Sequence, residues 1–87
     1  VTDVTDFFLA VYLAAMGEDL TEVEVQPEEV FRFADSSTLQ ERIVAYRTDT
    51  AQVNPKAFAR QIMQLRQRLH KLHQNQRAKD SYTHPAE

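Results

Sequence analysis

Thr21-Glu22-Val23-Glu24-Val25-Gln26-Pro27-Glu28-Glu29-Val30-Phe31-Arg32-Phe33-Ala34 is the stretch that decides the fold class. Residues 21–25 alternate with period two, and residues 30–34 alternate again, with Gln26-Pro27-Glu28-Glu29 between them as a turn. Alternation of this kind marks half-buried strands, so the stretch predicts a two-stranded antiparallel hairpin. Val23, Val25, Phe31 and Phe33 then point inward and Glu22 and Glu24 outward. Two strands alone are marginal in water. The inward face therefore needs helices, or an edge must pair with another copy.

The segment upstream supplies the first helix. Val4, Phe7, Phe8, Val11, Tyr12 and Ala15 fall at helical spacing, and Leu9, Leu13 and Met16 add apolar character on the other side. A helix that is apolar nearly all round is covered on more than one face. Thr2 or Asp3 is the expected N-cap, Asp6 complements the positive helix end, and Gly17 stands where a left-handed C-cap is wanted.

Downstream, Asp35-Ser36-Ser37-Thr38 is a run of capping residues. Gln40 and Glu41 follow Ser37 and Thr38 at capping-box spacing, before a short helix striped by Leu39, Ile43 and Tyr46. After a polar loop, Asn54 and Pro55 give the clearest helix start in the chain. Val53 and Phe58 are placed as a hydrophobic staple. Phe58, Ile62, Leu65, Leu69 and Leu72 then form a heptad seam that turns polar at Gln76 and Lys79, which predicts a long helix over 55–74 that frays beyond. The expectation is one small α+β domain over 1–78 (helix, two-stranded hairpin, short helix, long C-terminal helix), followed by a flexible polar tail over 79–87.

From Phe7 to about Leu72 the chain resembles an uncharacterised family of small domains from bacterial and phage or mobile-element genomes. The resemblance is carried by Phe8-Leu9-Ala10-Val11-Tyr12-Leu13-Ala14-Ala15-Met16-Gly17, by Val30-Phe31-Arg32-Phe33-Ala34-Asp35, by Val53-Asn54-Pro55-Lys56-Ala57-Phe58 and by the Ile62, Leu65, Leu69 helix. It implies the same order of elements and a mobile-element setting. It implies no activity, because fold does not give function.

Composition narrows the classes. A chain of 87 residues makes one thin core, and without cysteine it has neither disulfides nor thiolate metal sites. Self-association is the stabiliser left open. The longest apolar run, Phe7 to Met16, falls short of the roughly 20 residues of a membrane span. No signal peptide is visible, so the expected location is cytoplasmic, with no membrane partner. The start at Val1 rather than Met is read as a trimmed upstream piece. The net charge of −3 hides an asymmetry: residues 1–53 carry eleven acids against three arginines, a net −8, and residues 54–87 carry a net +5. Opposed halves attract within a molecule, between copies, or toward an outside polyanion.

Catalytic constellations are thin. His70 and His73 could face one metal, but a site needs a third and usually a fourth ligand, and His84 lies far along the chain. The pairs Glu18-Asp19 and Glu28-Glu29 read as solvated faces, since acid–base work needs carboxylates in different environments across a cleft. Ser36 and Ser37 are explained by capping, and one glycine cannot build a phosphate loop. The expectation is a non-enzyme without cofactor or metal.

The basic face of the last helix stands above this background. Lys56, Arg60, Arg66, Arg68 and Lys71 are offered to nucleic acid or another anionic partner, where Arg reads guanine and Gln reads adenine. The plainer reading is a solvated face neutralising the acidic half of its own fold. Phe58, Ile62, Leu65, Leu69 and Leu72 are candidates for self-association, against the plainer reading that they are core. Two functions are carried forward: a self-associating interaction module (a homo-oligomer with an unidentified protein partner), and a small nucleic-acid-binding accessory protein.

Overall fold

Leu9, Ala10, Val11, Tyr12 and Leu13 are buried in succession, which no helix achieves against a single neighbour. In the computed structural model, which describes the backbone of residues 1–83 and the side chains of 1–75, this helix is the post around which the rest is built. The order is β1 (Thr2–Val4), α1 (Phe7–Ala15), β2 (Leu20–Glu24), β3 (Val30–Phe33), α2 (Leu39–Arg47) and α3 (Pro55–Thr83). α1 packs against α2, α3 and β1. Its buried residues form one core with Val4, Val23, Phe31, Phe33, Leu39, Ile43, Leu65 and Leu69. The α+β class and the long C-terminal helix are as expected.

The sheet departs from expectation. It has three strands in the order β1-β3-β2, all antiparallel, rather than the two of a lone hairpin. Thr2, Asp3 and Val4, expected at a helix start, instead pair with Phe33, Arg32 and Phe31. The helix cap moves to Asp6, whose Oδ1 accepts from the backbone N–H groups of Phe8 (3.0 Å) and Leu9 (3.3 Å). The strand that a hairpin needs for stability thus comes from the chain's own N-terminal segment. Val23, Phe31 and Phe33 point inward as expected, and Val25 falls just beyond β2 and is half-buried.

Both short helices close in the same way. Gly17, with φ of 91°, sits after α1: its N–H donates to Ala14 O (3.1 Å) and that of Glu18 donates to Leu13 O (3.0 Å). This is the paired hydrogen bonding of a Schellman cap, and the expected role of Gly17 holds. After α2 the left-handed residue is Asp49, with φ of 61°, and the N–H groups of Asp49 and Thr50 donate to Tyr46 O (3.3 Å) and Ala45 O (2.9 Å). Aspartate tolerates this region better than most residues with a Cβ, but glycine reaches it without steric cost. Asp49→Gly should therefore raise stability by up to about 1 kcal/mol, read as an increase of a few degrees in Tm. An unchanged or lower Tm would contradict this account of the cap.

The capping box expected before α2 does not form. Thr38 is the N-cap residue but makes no side-chain cap bond, and it is Ser36 Oγ that accepts from Leu39 N–H (3.1 Å). The Thr38 hydroxyl is turned to Glu18, as described below. α3 begins as expected: Asn54 Oδ1 accepts from the N–H groups of Lys56 (2.9 Å) and Ala57 (3.1 Å). It runs to Thr83, past the expected end at 74 and into the segment expected as tail. The rest of that segment, 84–87, lies outside the described residues.

Candidate interaction surface

Lys56, Arg60, Arg66, Arg68 and Lys71 are all exposed on α3. None of the five forms an ion pair among the described residues. The Arg66 guanidinium lies 5.9 Å from the centre of the Phe7 ring, close enough for a cation–π contact that leaves its charge facing solvent. Met63, on the same helix, is 64% exposed. The seam takes the opposite side: Leu65 and Leu69 are buried in the chain's own core, with Phe58, Ile62 and Leu72 half-buried against it. The residues singled out for self-association are thus already packed within one chain, chiefly on α1.

Much of the acidic half is held by its own arginines. On the solvent face of the sheet, Arg32 meets Asp3 at 3.1 Å, Glu22 at 3.3 Å and Glu24 at 2.8 Å. Their positions follow from the register, which sets Asp3 and Glu22 on either side of Arg32. Hydrogen bonding to Arg32 and its charge hold the Glu24 carboxyl below its ordinary pKa. Three carboxylates around one guanidinium leave this face negative. Among the described residues, α3 meets an acid of the first half in one polar contact: His73 Nε2 lies 3.1 Å from Glu29 Oε2, joining α3 to the turn between β2 and β3.

Glu18 is the acid that sequence reasoning misjudged. Its side chain is 5% exposed, not solvated. Oε1 accepts from Ser36 Oγ (2.6 Å), and Oε2 accepts from Thr38 Oγ1 (2.6 Å) and lies 2.8 Å from Arg42 Nε. The Nε–H is poorly aligned for a hydrogen bond, so that contact is an ion pair at close range. Arg42 Nη1 also donates to Met16 O at the end of α1 (3.0 Å). Burial pushes the Glu18 carboxyl up, but the two hydroxyls and the Arg42 charge outweigh it and hold it below its ordinary value. The cluster locks the end of α1 to the start of α2, and its Thr38 and Arg42 also line an open depression of about 340 Å³ with Tyr12, Glu41 and Ala45.

His70 is exposed, and His73 is the partner of Glu29. No three His, Asp or Glu side chains converge as metal ligands among the described residues, and His84 lies outside them. No helix of the described residues is long and apolar enough to cross a membrane.

Tyr12 from α1, Tyr46 from α2 and Phe58 from α3 line an open depression of about 370 Å³ together with Asp49, Ala51 and Val53. The two tyrosine rings are 5.7 Å apart, tilted by 34°. The staple pair Val53 and Phe58 forms one wall. Comparison with known protein families, curated proteins and solved structures gives no match to this chain, so the resemblance described above rests on the quoted residues alone.

Proposed function

We propose that the chain is a non-catalytic interaction module whose working surface is the basic face of α3 and whose first partner is a second copy of itself. The observation that carries this is the exposure of Lys56, Arg60, Arg66, Arg68 and Lys71 without an ion pair among the described residues. The acidic sheet face around Arg32 keeps an excess of carboxylate at the same time. Opposite charges left unmatched within one molecule are available between two. Because the seam is occupied by the core, the contact is electrostatic: basic helix against acidic sheet. A bacterial or mobile-element setting and a cytoplasmic location belong to the same proposal and rest on the sequence.

Surface electrostatics of this kind are screened by salt, with a Debye length of about 10 Å at 0.1 M and about 3 Å at 1 M. Sedimentation should show the average mass rising with protein concentration at low ionic strength and returning to that of a monomer at about 1 M salt. Arg60→Glu with Arg68→Glu, both at exposed helical positions, should give a monomer throughout. A wild-type chain that is monomeric at every concentration and salt would overturn the proposal.

The placement of the five cations along a single helix of 29 residues also favours a second reading, a small nucleic-acid-binding accessory protein. Phosphate contacts make binding fall steeply with salt, so anisotropy of a labelled duplex should rise at about 50 mM salt and lose that rise by about 200 mM. No rise at the lower salt excludes this reading and leaves self-association standing.

A further inference from the structure

The geometry points to a site for an alkylammonium group in the depression formed by Tyr12, Tyr46, Phe58 and Asp49. Three aromatic residues from three different helices line it, Tyr46 and Phe58 half-buried and Tyr12 almost wholly buried behind them, and Asp49 lines it with them. Aromatic faces carry negative charge density and attract a cation within about 6 Å, most strongly when it is partly desolvated. Quaternary ammonium groups suit such walls best, since they present apolar methyl groups to the rings and positive charge to the carboxylate.

The field in the depression has the right sign. Asp49 has no ion pair among the described residues, so its charge is not cancelled locally. Tyr46 and Asp49 sit at the C-terminal end of α2, where the helix dipole adds negative partial charge. The Tyr46 phenol reports the same field: burial, then the carboxylates of Asp6 and Asp49, push its pKa up. Lys56 opens the neighbouring helix but does not line the depression. At about 370 Å³ the space lies at the small end of ligand sites. That is room for a choline-sized head group or the end of one methylated lysine. None of the five cations of α3 lines the site, which stands whether or not the proposed assembly forms.

The test is a titration with choline followed through the backbone amide resonances, beside 3,3-dimethyl-1-butanol, its neutral isostere. Choline should shift the amides of Tyr46, Asp49 and Ala51 with a Kd of about 1 mM or tighter, and the neutral isostere should bind at least fivefold more weakly. Asp49→Asn, which keeps a residue that tolerates left-handed backbone, should weaken choline at least fivefold while leaving Tm within a few degrees. Tyr46→Leu should abolish the shifts. Free trimethyl-lysine beside a trimethyl-lysine peptide separates a small-molecule ligand from a protein side chain, and binding of either supports the site. No shifts up to about 20 mM choline, or equal binding of the neutral isostere, would overturn it.

Discussion

Phe31→Ala should leave the chain largely unfolded at 37 °C. Phe31 is fully buried at the middle of the central strand, where it is paired with Val4 on one side and Val23 on the other. Its ring also meets that of Phe7 edge-on at 6.1 Å. Truncating a buried phenylalanine to alanine costs about 3–5 kcal/mol, the lost transfer energy plus the cavity left behind. Small domains have total stabilities near the bottom of the 5–15 kcal/mol range, so this one substitution removes most of what there is. Urea denaturation should show a midpoint near zero for Phe31→Ala. Phe8→Ala, at a ring that is 46% exposed, is the control and should stay within about 1 kcal/mol of wild type. Equal effects at the two positions would contradict the packing described here.

Glu18→Gln should be the next most damaging change, and its cost should depend on pH. The glutamine keeps the shape but cannot balance Arg42 or accept from both hydroxyls with the strength of a carboxylate. Arg42 retains some access to water, with 24% of its side chain exposed, which reduces the loss below that of a fully buried pair. About 2 kcal/mol at pH 7 is expected. The sign of the pH dependence follows from the direction of the shift. A carboxyl held below its unfolded value stabilises the fold above that value, and the contribution is lost as pH falls through the lower folded value. The difference in stability between wild type and Glu18→Gln should therefore be constant from pH 7 to about 5, then shrink once pH drops below the ordinary glutamate value of about 4.5. Because the other carboxylates titrate in both proteins, the difference isolates Glu18. A gap that does not close at acid pH would mean that the charge on Glu18 is not what stabilises the fold.

Local signals carried much of this architecture. The period-two stretch around Gln26-Pro27, the left-handed position of Gly17 and the Asn54-Pro55 start each fix backbone within a few residues of themselves, and each is found where expected. β1 escaped because three residues of Thr-Asp-Val carry no strand signal of their own. They become a strand only because β3, some thirty residues later, offers its open edge. The same non-local effect defeated the capping box. Thr38 has the right spacing to Glu41 for a box in its own helix, but its hydroxyl donates instead to a buried carboxylate from the end of α1, and the cap bond to Leu39 N–H falls to Ser36.

The interaction surface was half legible. Helical spacing alone separates the cations of α3 from the seam, and their exposure follows. That they form no ion pair among the described residues depends on where the acids end up, which the sheet register decides by gathering Asp3, Glu22 and Glu24 around Arg32. The aromatic depression was not legible at all, since its three rings come from positions 12, 46 and 58 and meet only after three helices have packed.

That α1 precedes β2, β3, α2 and α3 in the chain bears on biosynthesis. Its apolar surface leaves the ribosome before most of the partners that will cover it, the last of them as far along as Leu69. Until then no partial assembly can hide Leu9 to Leu13, so translation intermediates should be sticky, and chaperone occupancy on nascent chains should persist until α3 emerges.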